Sequence, residues 1–498
     1  MANLFGIPAS VPEPVRRLGA VPRIVGLLLT LFSLTLLPPV LVSLYYQDGT
    51  HTAFLTAFAL TLITGAMMWR LGAGLNRDLR IREGFVVVVS FWVVLGLFGA
   101  IPLYLAERPV MTFTEAAFES ISGLTTTGAT VITGLDTLPK GILYYRQQLQ
   151  WFGGMGIVVL AVAILPLLGV GGMQLYQAEI PGPVKNEKLT PRIAETAKAL
   201  WAIYLGLTVA CAALYWLAGM QPFEAIGHSF STVAIGGFST HDLSTGYYNS
   251  AAIESIAVFF MFAAGINFAL HYRVWQSADI RSYLADTEFR TFLALVVGVT
   301  TVATGVLYFH GTYPDADRAL IKALFQVVSI GTTTGFTTAD YATWPSFLPM
   351  MLLLGSFVGG CAASTAGGMK VIRFVLLWKQ GLSELKRLVH PSAMIPVKLG
   401  GRNVPSDVLQ AVWGFFAVYI AIFIVLFIIM LATGLDELTA FSAVAACLNN
   451  LGPGLGEVSG NMTVVNAPGK WVLILAMLLG RLEIFTLIAI LSPAFWRR

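Results

Sequence analysis

A short run rich in threonine and glycine occurs four times along the 498-residue chain, and this repetition constrains the fold more than any other feature. The third copy is the strictest and reads Thr332-Thr333-Thr334-Gly335-Phe336-Thr337. The glycines that align in the four copies are Gly128, Gly237, Gly335 and Gly452. They are separated by 109, 98 and 117 residues, and a near-regular period of this size indicates one structural unit used four times. We call these copies the first to fourth glycine runs, residues 125–130, 234–239, 332–337 and 449–454.

The sequence before each glycine run is also alike. An alanine lies twelve residues before each aligned glycine, at Ala116, Ala225, Ala323 and Ala440. Each upstream segment has room for about three turns of helix, whereas a helix that crosses a bilayer needs roughly 20 residues. The pattern therefore predicts a half-depth helix followed by a tight non-helical run. At membrane depth such a run is tolerated only where it is buried in protein or lines a water-filled path. The alternative is four ordinary helix–turn–helix loops in which glycine only forms the turn.

The composition indicates a membrane protein. The chain is 56% hydrophobic and 11% charged, compared with about 25% charged residues in soluble domains. The net charge of +4 is small and the basic residues concentrate in particular loops, so we expect a lipid membrane and no nucleic-acid partner. Cys211, Cys361 and Cys447 are widely spaced in apolar sequence, which favours buried packing over a disulfide framework or a metal site.

Long apolar segments predict the domain organisation. The predicted fold is an all-α polytopic membrane protein, in which four span–half-helix–span repeats surround one central pore with pseudo-fourfold symmetry. Two extra N-terminal transmembrane helices, near residues 21–46 and 53–71, precede the repeats. The expected boundaries are 1–83 for this two-helix extension and 84–170, 171–277, 278–390 and 391–498 for the four repeats.

The placement of lysine and arginine predicts the orientation, because cytoplasmic loops carry an excess of both. One set of loops holds many basic residues, among them Lys188, Arg281 and Lys386, and both chain ends lie on the same side. That side is expected to be the cytoplasm, so the half-helices enter from outside. The outer loops hold fewer basic residues, namely Arg108, Lys140, Arg146, Arg318, Lys322 and Lys470.

The glycine runs suit a dehydrated monovalent cation. Such an ion needs several oxygen ligands, and rings of backbone carbonyls supply them in potassium-selective pores. Glycine adopts backbone angles that let carbonyls turn towards an axis, and half-helices whose C-termini point inwards add partial negative charge. The expected ligands are the carbonyls of the two residues before each aligned glycine and of the glycine itself. They are Thr126, Thr127, Gly128, Ile235, Gly236, Gly237, Thr333, Thr334, Gly335, Asn450, Leu451 and Gly452.

The repeated span–half-helix–span unit, with one aligned glycine in each copy, resembles the Trk/Ktr potassium-transporter superfamily. The two additional N-terminal spans make the chain similar to the Trk-type membrane subunit, and the resemblance covers essentially the whole chain. It implies a potassium-uptake pore in the bacterial inner membrane, with potassium as the transported ion and no organic cofactor in this chain. It also implies a homodimer bound to a cytosolic regulatory subunit that binds a nucleotide such as NAD, ATP or ADP. The fourth run departs from the pattern at Asn450, Leu451 and Pro453, and a less uniform ring is expected to weaken discrimination between potassium and sodium.

A second unusual segment lies in the third repeat. Residues 359–368 read Gly-Gly-Cys-Ala-Ala-Ser-Thr-Ala-Gly-Gly, and ten small residues in a row do not make a good helix. One interpretation is a non-helical loop beneath the glycine runs that blocks conduction, and the family resemblance implies such a gate. The alternative is close helix packing through small residues. The predicted gating residues are Gly359, Gly360, Ser364, Thr365, Gly367, Gly368, Lys370 and Arg481.

Arg481 lies inside the predicted last span, where a charge is costly and usually functional. The resemblance implies that an arginine at this place sits beside the gating loop. The alternative is a structural pair with a carboxylate such as Glu483, although a spacing of two residues places side chains on different faces of a helix.

Two other classes of protein are alternatives to a gated pore. A secondary symporter that couples potassium entry to sodium or protons usually has inverted or paired repeats and acidic residues at the bilayer midplane. This chain instead has four repeats of the same sense and few such acids. A membrane-embedded enzyme would need paired carboxylates or a nucleophile with a base, and the sequence shows neither. We therefore expect a transporter and not an enzyme.

Overall fold

The computed structural model describes residues 20–71, 81–159 and 193–496, apart from residues 346, 394 and 483. In this part of the chain the regular structure is helical, except for a hairpin of two-residue strands, β1 (Lys398–Leu399) and β2 (Arg402–Asn403). Six of its helices are long and apolar enough to cross a membrane, and eight spans result if each of two sharply bent helix pairs counts as one. The predicted class, an all-α polytopic membrane protein, is confirmed.

The N-terminal extension forms two antiparallel membrane helices, the first of which is broken. Helix α1 (Ala20–Leu34) and helix α2 (Leu37–Tyr46) together cross the membrane, and α3 (His51–Leu71) returns beside them. The break falls just before Pro38 and Pro39, because proline has no N–H to continue the helical hydrogen bonds. Residues 72–80, which follow α3, lie outside the described part of the chain.

Each glycine run follows a short helix, as the sequence predicts. These half-helices are α6 (Phe113–Leu124), α9 (Pro222–Val233), α14 (Ala316–Gly331) and α18 (Glu437–Leu448). The first turns of α6 and α18 carry side-chain caps. Thr112 and Glu115 form a reciprocal capping box on α6, and the Asp436 carboxylate accepts the N–H groups of Leu438 and Thr439 at 3.1 and 3.2 Å. After each run the chain makes a short 3-10 turn, at Leu135–Thr137, Ser244–Tyr248, Tyr341–Thr343 and Gly456–Val458.

The remaining helices flank the half-helices in chain order. The first unit has α4 (Ile81–Gly99), α5 (Ile101–Leu105) and α7 (Lys140–Val159). The second has α8 (Ile193–Leu217), α10 (Ala251–Ala264), α11 (Phe268–Ser277) and α12 (Arg281–Ala285). The third has α13 (Thr287–Phe309), α15 (Leu348–Val358) and α16 (Val371–Val389). The fourth has α17 (Ser406–Ala432), α19 (Ala467–Arg481), α20 (Phe485–Leu491) and α21 (Pro493–Trp496). Residues 160–192 separate α7 from α8 and lie outside the described residues, so the end of the predicted first return span and the boundary near residue 170 stay predictions.

The return element is interrupted in the second, third and fourth units, where the structure describes it past its first helix, whereas the sequence predicts one interruption. In the third unit, residues 359–370 form no helix between α15 and α16, as predicted. Helices α10 and α11 bend by 92° at their junction, and α19 and α20 bend by 116°. Arg481 is therefore the last residue of α19 and not an interior residue of a continuous last span, which corrects the prediction. Its suggested partner Glu483 lies outside the described residues.

Two hydrophobic clusters make up most of the core. One joins the N-terminal helices with the first and fourth units, and the other joins the second and third units. The half-helices contribute apolar residues to both clusters and are largely buried although they carry many polar residues. Since buried polar groups need hydrogen-bond partners, the contacts of these residues define the candidate site.

Candidate functional site

All four half-helices end in the same backbone turn. The residue two before each aligned glycine has a left-handed φ, of 53° at Thr126, 55° at Ile235, 67° at Thr333 and 55° at Asn450. The N–H of the following residue donates to the carbonyl six residues before the glycine, at 2.9, 2.8, 2.7 and 2.7 Å in the four units. This is the Schellman turn that ends many helices. The four runs share few side chains, yet the backbone takes the same conformation at the end of each half-helix.

The aligned glycines bring the four runs into a closed ring. Each has a left-handed φ, between 78° and 100°. Each also lies so close to a carbonyl of the next run that a Cβ atom would come within 3.0 Å of the oxygen. The pairs are Gly128 with the carbonyl of Gly236, Gly237 with that of Thr334, Gly335 with that of Leu451 and Gly452 with that of Thr127. The fourth pair returns to the first run, so one chain closes the ring, and both backbone angle and space require glycine at these positions.

The first and third runs are held by their own side chains. Ser122 donates to the carbonyl of Ala129 at 2.6 Å, and the equivalent Ser329 donates to the carbonyl of Phe336 at 2.7 Å. The hydroxyls of Thr125 and Thr127 are 2.7 Å apart, and the equivalent pair in the third run is also separated by 2.7 Å. A left-handed non-glycine residue costs roughly 1–3 kcal/mol, and such local bonds help to hold it.

The divergent fourth run uses asparagine side chains instead. Asn450 Nδ2 donates to the Thr127 hydroxyl at 2.9 Å and to the Met477 carbonyl at 3.0 Å. Asn449 Nδ2 donates to Ser356 Oγ at 2.9 Å, and its Oδ1 accepts from the Tyr419 hydroxyl. The departure from the threonine pattern is therefore compensated, because these amides tie the fourth run to the first run and to α15, α17 and α19.

Three basic residues assigned to outer loops by the sequence are instead buried in ion pairs. Arg146 of α7 is 1% exposed; its Nε lies 2.7 Å from Glu119 Oε1 of the first half-helix, and its Nη1 donates to the Ser239 carbonyl at 3.2 Å. Lys322 pairs with Glu254, and Lys470 pairs with Glu115 at 3.0 Å. Burial of an ion is costly unless it is paired, so these side chains brace the half-helices and carry no information on orientation. The signal of the Arg146 pair in the sequence is the polar stretch Arg146-Gln147-Gln148 within a predicted apolar span.

Residues 359–370, which we call the small-residue loop, lie against the ring on the side where the half-helices end. Gly367 N–H donates to Thr333 Oγ1 at 2.7 Å, and Gly368 N–H donates to the Asn449 carbonyl at 3.0 Å. Thr365 Oγ1 donates to the carbonyl of Val233, the last residue of α9, at 3.0 Å. The loop thus contacts the ends of the second, third and fourth half-helices.

Arg481 joins the small-residue loop to the first unit. Its Nη1 donates to the Thr365 carbonyl at 3.2 Å and its Nη2 to the Gly153 carbonyl of α7 at 2.9 Å, while the guanidinium lies 5.4 Å from the centre of the Trp92 ring. Lys370 Nζ donates to the Ala366 carbonyl within the loop. Four of the loop residues have a left-handed φ, namely Gly359, Ala363, Gly368 and Lys370.

The remaining predicted loop residues hold the loop together from within. Ser364 Oγ donates to the Cys361 carbonyl at 2.6 Å, and the Gly360 carbonyl accepts the N–H of Val371 at 3.1 Å. The loop also meets the bend between α10 and α11, where Cys361 N–H donates to the Gly265 carbonyl at 2.9 Å and Phe268 N–H to the Ala363 carbonyl at 3.1 Å. All the predicted gating residues therefore lie in one place.

Two further polar groups were not predicted. Glu288, at the start of α13, is 7% exposed and accepts the backbone N–H groups of Ala362 in the small-residue loop and of Ile372 at the start of α16. On the opposite side of the ring, His241 lies between Asp136 and Glu224 and stacks on Tyr247 with ring centres 3.5 Å apart. In the sequence these partners are 105 and 17 residues from His241, so local spacing gives no signal of the cluster.

The fold and the site define a polytopic membrane protein with an internal ring of backbone carbonyls made by a single chain. The sequence profile of the TrkH family, described as cation transport proteins, matches residues 50–498. The chain therefore belongs to the TrkH family.

Similar proteins agree with this assignment over nearly their full lengths. The Trk system potassium uptake protein TrkH of Vibrio parahaemolyticus is 58% identical over 477 residues, which are 95% of this chain and 98% of that protein. The protein of the same name from Escherichia coli strain K12 is 55% identical, with 96% of this chain and 99% of that protein covered. The Escherichia coli K12 protein TrkG is 43% identical, with 95% and 97% covered.

A solved structure is similar as well. The crystal structure of the potassium transporter TrkH from Vibrio parahaemolyticus superimposes with a TM-score of 0.88 at 56% identity, covering 96% of this chain and 99% of that chain. The predicted resemblance to Trk-type membrane subunits is confirmed. The expectation of a transporter and not an enzyme is confirmed too, because the family consists of cation transport proteins.

Proposed function

We propose that this chain is the ion-conducting subunit of a Trk-type potassium uptake system and passes potassium through a gated pore at its centre. The observation that carries the proposal is the closed ring, in which each aligned glycine lies against a carbonyl of the next run. A monovalent cation that loses its water needs such oxygens, and four equivalent runs around one axis supply them from a single chain. The names of the similar proteins support potassium as the ion.

In this proposal the ion ligands are backbone carbonyls of the four runs. They belong to Thr126, Thr127 and Gly128, to Ile235, Gly236 and Gly237, to Thr333, Thr334 and Gly335, and to Asn450, Leu451 and Gly452. The half-helices that lead into the ring direct the partially negative ends of their dipoles towards it, which favours a cation there. The buried pairs behind the runs, such as Arg146 with Glu119, fix the backbone that carries the ligands.

The gate in this proposal is the small-residue loop. The loop forms hydrogen bonds with three half-helix ends, through two backbone N–H groups and the Thr365 hydroxyl, and with the first unit through Arg481, so it lies across the path of an ion that leaves the ring. Small side chains leave few contacts to break when the loop moves aside, and two bends flank it, between α10 and α11 and between α19 and α20. The positive charge of Arg481 would also oppose a cation below the ring by several kcal/mol at an effective dielectric near 20.

The setting in the cell is part of the proposal. The chain would lie in the bacterial inner membrane with both termini in the cytoplasm, as the basic loops suggest. It would form a homodimer and bind a cytosolic subunit that is regulated by a nucleotide. The end of α16 supports a cytoplasmic contact, since basic Lys386 and Arg387 stand beside exposed Leu388 and Val389, which are 79% and 73% exposed. Light scattering of the purified chain should give twice its mass of 53.7 kDa.

Flux measurements test the function. The protein is reconstituted into liposomes loaded with potassium, and uptake of radioactive rubidium is followed with and without competing sodium. In a planar bilayer we expect ohmic current that needs no second ion. Current that appears only with a sodium or proton gradient would favour a symporter, and no flux of any cation would refute the proposal.

A further inference from the structure

The second run lacks the internal support of the first and third runs. Its residue before the aligned glycine is Gly236, which has no side chain, whereas the other runs have Thr127, Thr334 and Leu451 there. Ser231 corresponds to Ser122 and Ser329, but its hydroxyl makes no hydrogen bond within the described part of the chain. The run's own side chains therefore do not fix its most flexible peptide.

Helix α7 of the first unit supplies this support from outside. Gln150 Nε2 donates to the Gly236 carbonyl at 2.5 Å, and Gln150 Oε1 accepts the N–H of Phe238 at 3.0 Å. Gln147 of the same helix donates to the Phe238 carbonyl at 3.2 Å, in place of the serine bond of the first and third runs. Both the nitrogen and the oxygen of the Gln150 amide make hydrogen bonds. If the amide were flipped, its NH2 group would face the Phe238 N–H and its oxygen would face the Gly236 carbonyl, and both bonds would be lost. Its orientation and the Gly236 carbonyl therefore fix each other.

Gln150 and Gly236 also share one space. A Cβ atom on Gly236 would lie less than 3.0 Å from Cδ of Gln150, a distance that real Cβ atoms essentially never show. The buried glutamine therefore occupies the volume that a threonine or leucine side chain fills beside the other runs. The φ of Gly236 is not left-handed, so space and not backbone angle is what excludes a side chain there.

We propose that Gln150 is a positioning residue that sets the ion selectivity of the ring by holding the Gly236 carbonyl in place. The inference rests on the proposed function, in which that carbonyl is an ion ligand. Glycine has the freest backbone of all residues, and a carbonyl that can shift inwards accommodates the smaller sodium ion as well as potassium. A braced carbonyl keeps the second run equivalent to the other three runs despite its missing side chain.

The first test compares two glutamines of α7. Gln150→Leu removes both bonds to the second run at similar volume, and we expect the potassium-over-sodium permeability ratio to fall by about tenfold while rubidium flux persists. Gln148→Leu is the matched control, because Gln148 is equally buried on the same helix but donates to the Thr35 carbonyl at 2.9 Å, away from the ring. It should leave the ratio unchanged. Reversal potentials in a planar bilayer with potassium and sodium on opposite sides give the ratio.

A double-mutant cycle keeps the inference testable if Gln150→Leu does not insert into the membrane. Gly236→Ala should lower the ratio because its Cβ displaces Gln150, and Gly236→Ala with Gln150→Ala should be no worse than Gln150→Ala alone, since the two residues share one space. If the double variant lowered the permeability ratio by the product of the two single effects, the inference would be overturned. An unchanged permeability ratio in a conducting Gln150→Leu protein would also overturn the inference, but the proposed function as a selective pore would remain supported by the wild-type protein. Absence of selective flux in the wild type would instead refute the proposed function, and this inference with it.

Discussion

Glu288 Oε1 lies 2.7 Å from the backbone nitrogen of Ala362 and accepts its hydrogen bond. The same oxygen accepts the N–H of Ile372 at 3.1 Å, so one buried carboxyl group joins the small-residue loop and the start of α16 to the start of α13. A buried backbone donor that is left without its acceptor costs about 1–3 kcal/mol. We expect the blocking position of the loop to depend on this carboxyl group.

Replacing Glu288 should therefore loosen the gate. Glu288→Ala leaves two backbone donors without their acceptor, and we expect basal rubidium flux without a regulatory subunit to rise roughly tenfold. Glu288→Gln is the control, because its Oε1 can still accept both N–H groups, and it should cause a much smaller rise. Wild-type flux in a folded Glu288→Ala protein would show that the loop is held without this side chain.

Arg481 gives a second test of the gate. Arg481→Ala removes the bonds to the Thr365 and Gly153 carbonyls and a positive charge near the exit of the ring, so basal flux should rise. Deletion of residues 362–366 should have the same effect. Arg387→Ala, which removes an arginine of α16 paired with Glu384 at the surface, should leave basal flux unchanged. If flux falls or stays constant in dimeric Arg481→Ala protein, the arginine is a structural anchor and the loop a packing seam.

The sequence predicted the parts of this structure that repeat. Aligning four glycines was enough to place the half-helices and the turns after them, because each copy has its own glycine where the φ is left-handed. The small-residue loop was predictable for a related reason, since ten small residues in a row disfavour a helix wherever they occur. These features are local, and a single chain segment carries the signal.

Contacts between units were not predictable in this way. Arg146 was counted among the basic residues of the outer loops, yet it pairs with Glu119 from another helix. The bends after α10 and at Arg481 have no run of glycine or proline to signal them. Gln150 and Glu288 act on segments 86 and 74 residues away, and no local pattern encodes such distances.

The ring itself can be tested at Gly335. Gly335→Ser should abolish uptake or remove the preference for potassium over sodium, because its φ is +83° and a Cβ would meet the Leu451 carbonyl. Gly331→Ala is the matched control, since a Cβ there meets nothing within 4 Å and alanine favours the helix that contains it. Rubidium uptake with competing sodium measures both variants. An unchanged potassium preference in well-expressed Gly335→Ser protein would count against the filter assignment.

Cysteine labelling tests the orientation. Cysteines introduced at Lys188 and Lys386 should react with a membrane-impermeant maleimide only from the cytoplasmic side, and one at Asp242 only from outside. Lys386 and Asp242 are exposed, while Lys188 lies outside the described residues. The native cysteines Cys211, Cys361 and Cys447 are buried and should give little background. Reaction of the Lys188 position from outside would reverse the predicted topology.

The cluster around His241 predicts a pH dependence of stability. Burial is the largest effect and lowers the pKa of His241, but the bonds to Glu224 and Asp136 outweigh it and raise the pKa above its ordinary value. The hydrogen bond from His241 in turn holds the pKa of Asp136 below its usual range. A group whose pKa is raised by folding stabilises the fold fully below its unfolded pKa, near 6.5 for histidine, and loses this effect as the pH rises through the folded value. The stabilisation that comes from the lowered pKa of Asp136 is lost only at acid pH, below about 4.

The thermal unfolding midpoint of the wild type in detergent should therefore fall between pH 6 and pH 9 by more than that of His241→Gln. The difference should be on the order of 1–2 °C, because Asp136, one partner of His241, is about half exposed, and an ion pair with an exposed partner contributes about 1 kcal/mol or less. His310→Gln alters an exposed histidine in the outer loop of the third unit and should keep the wild-type slope. Tyr247, Tyr248 and His228 also lie near the cluster, so replacing His241 can change contacts with them as well as its charge. Asp136→Asn, which leaves His241 in place, is therefore measured in parallel. It removes one of the two carboxylates that raise the pKa of His241 and should shift the loss of stability to lower pH. Parallel curves for wild type and His241→Gln would show that the histidine does not change its charge in this range.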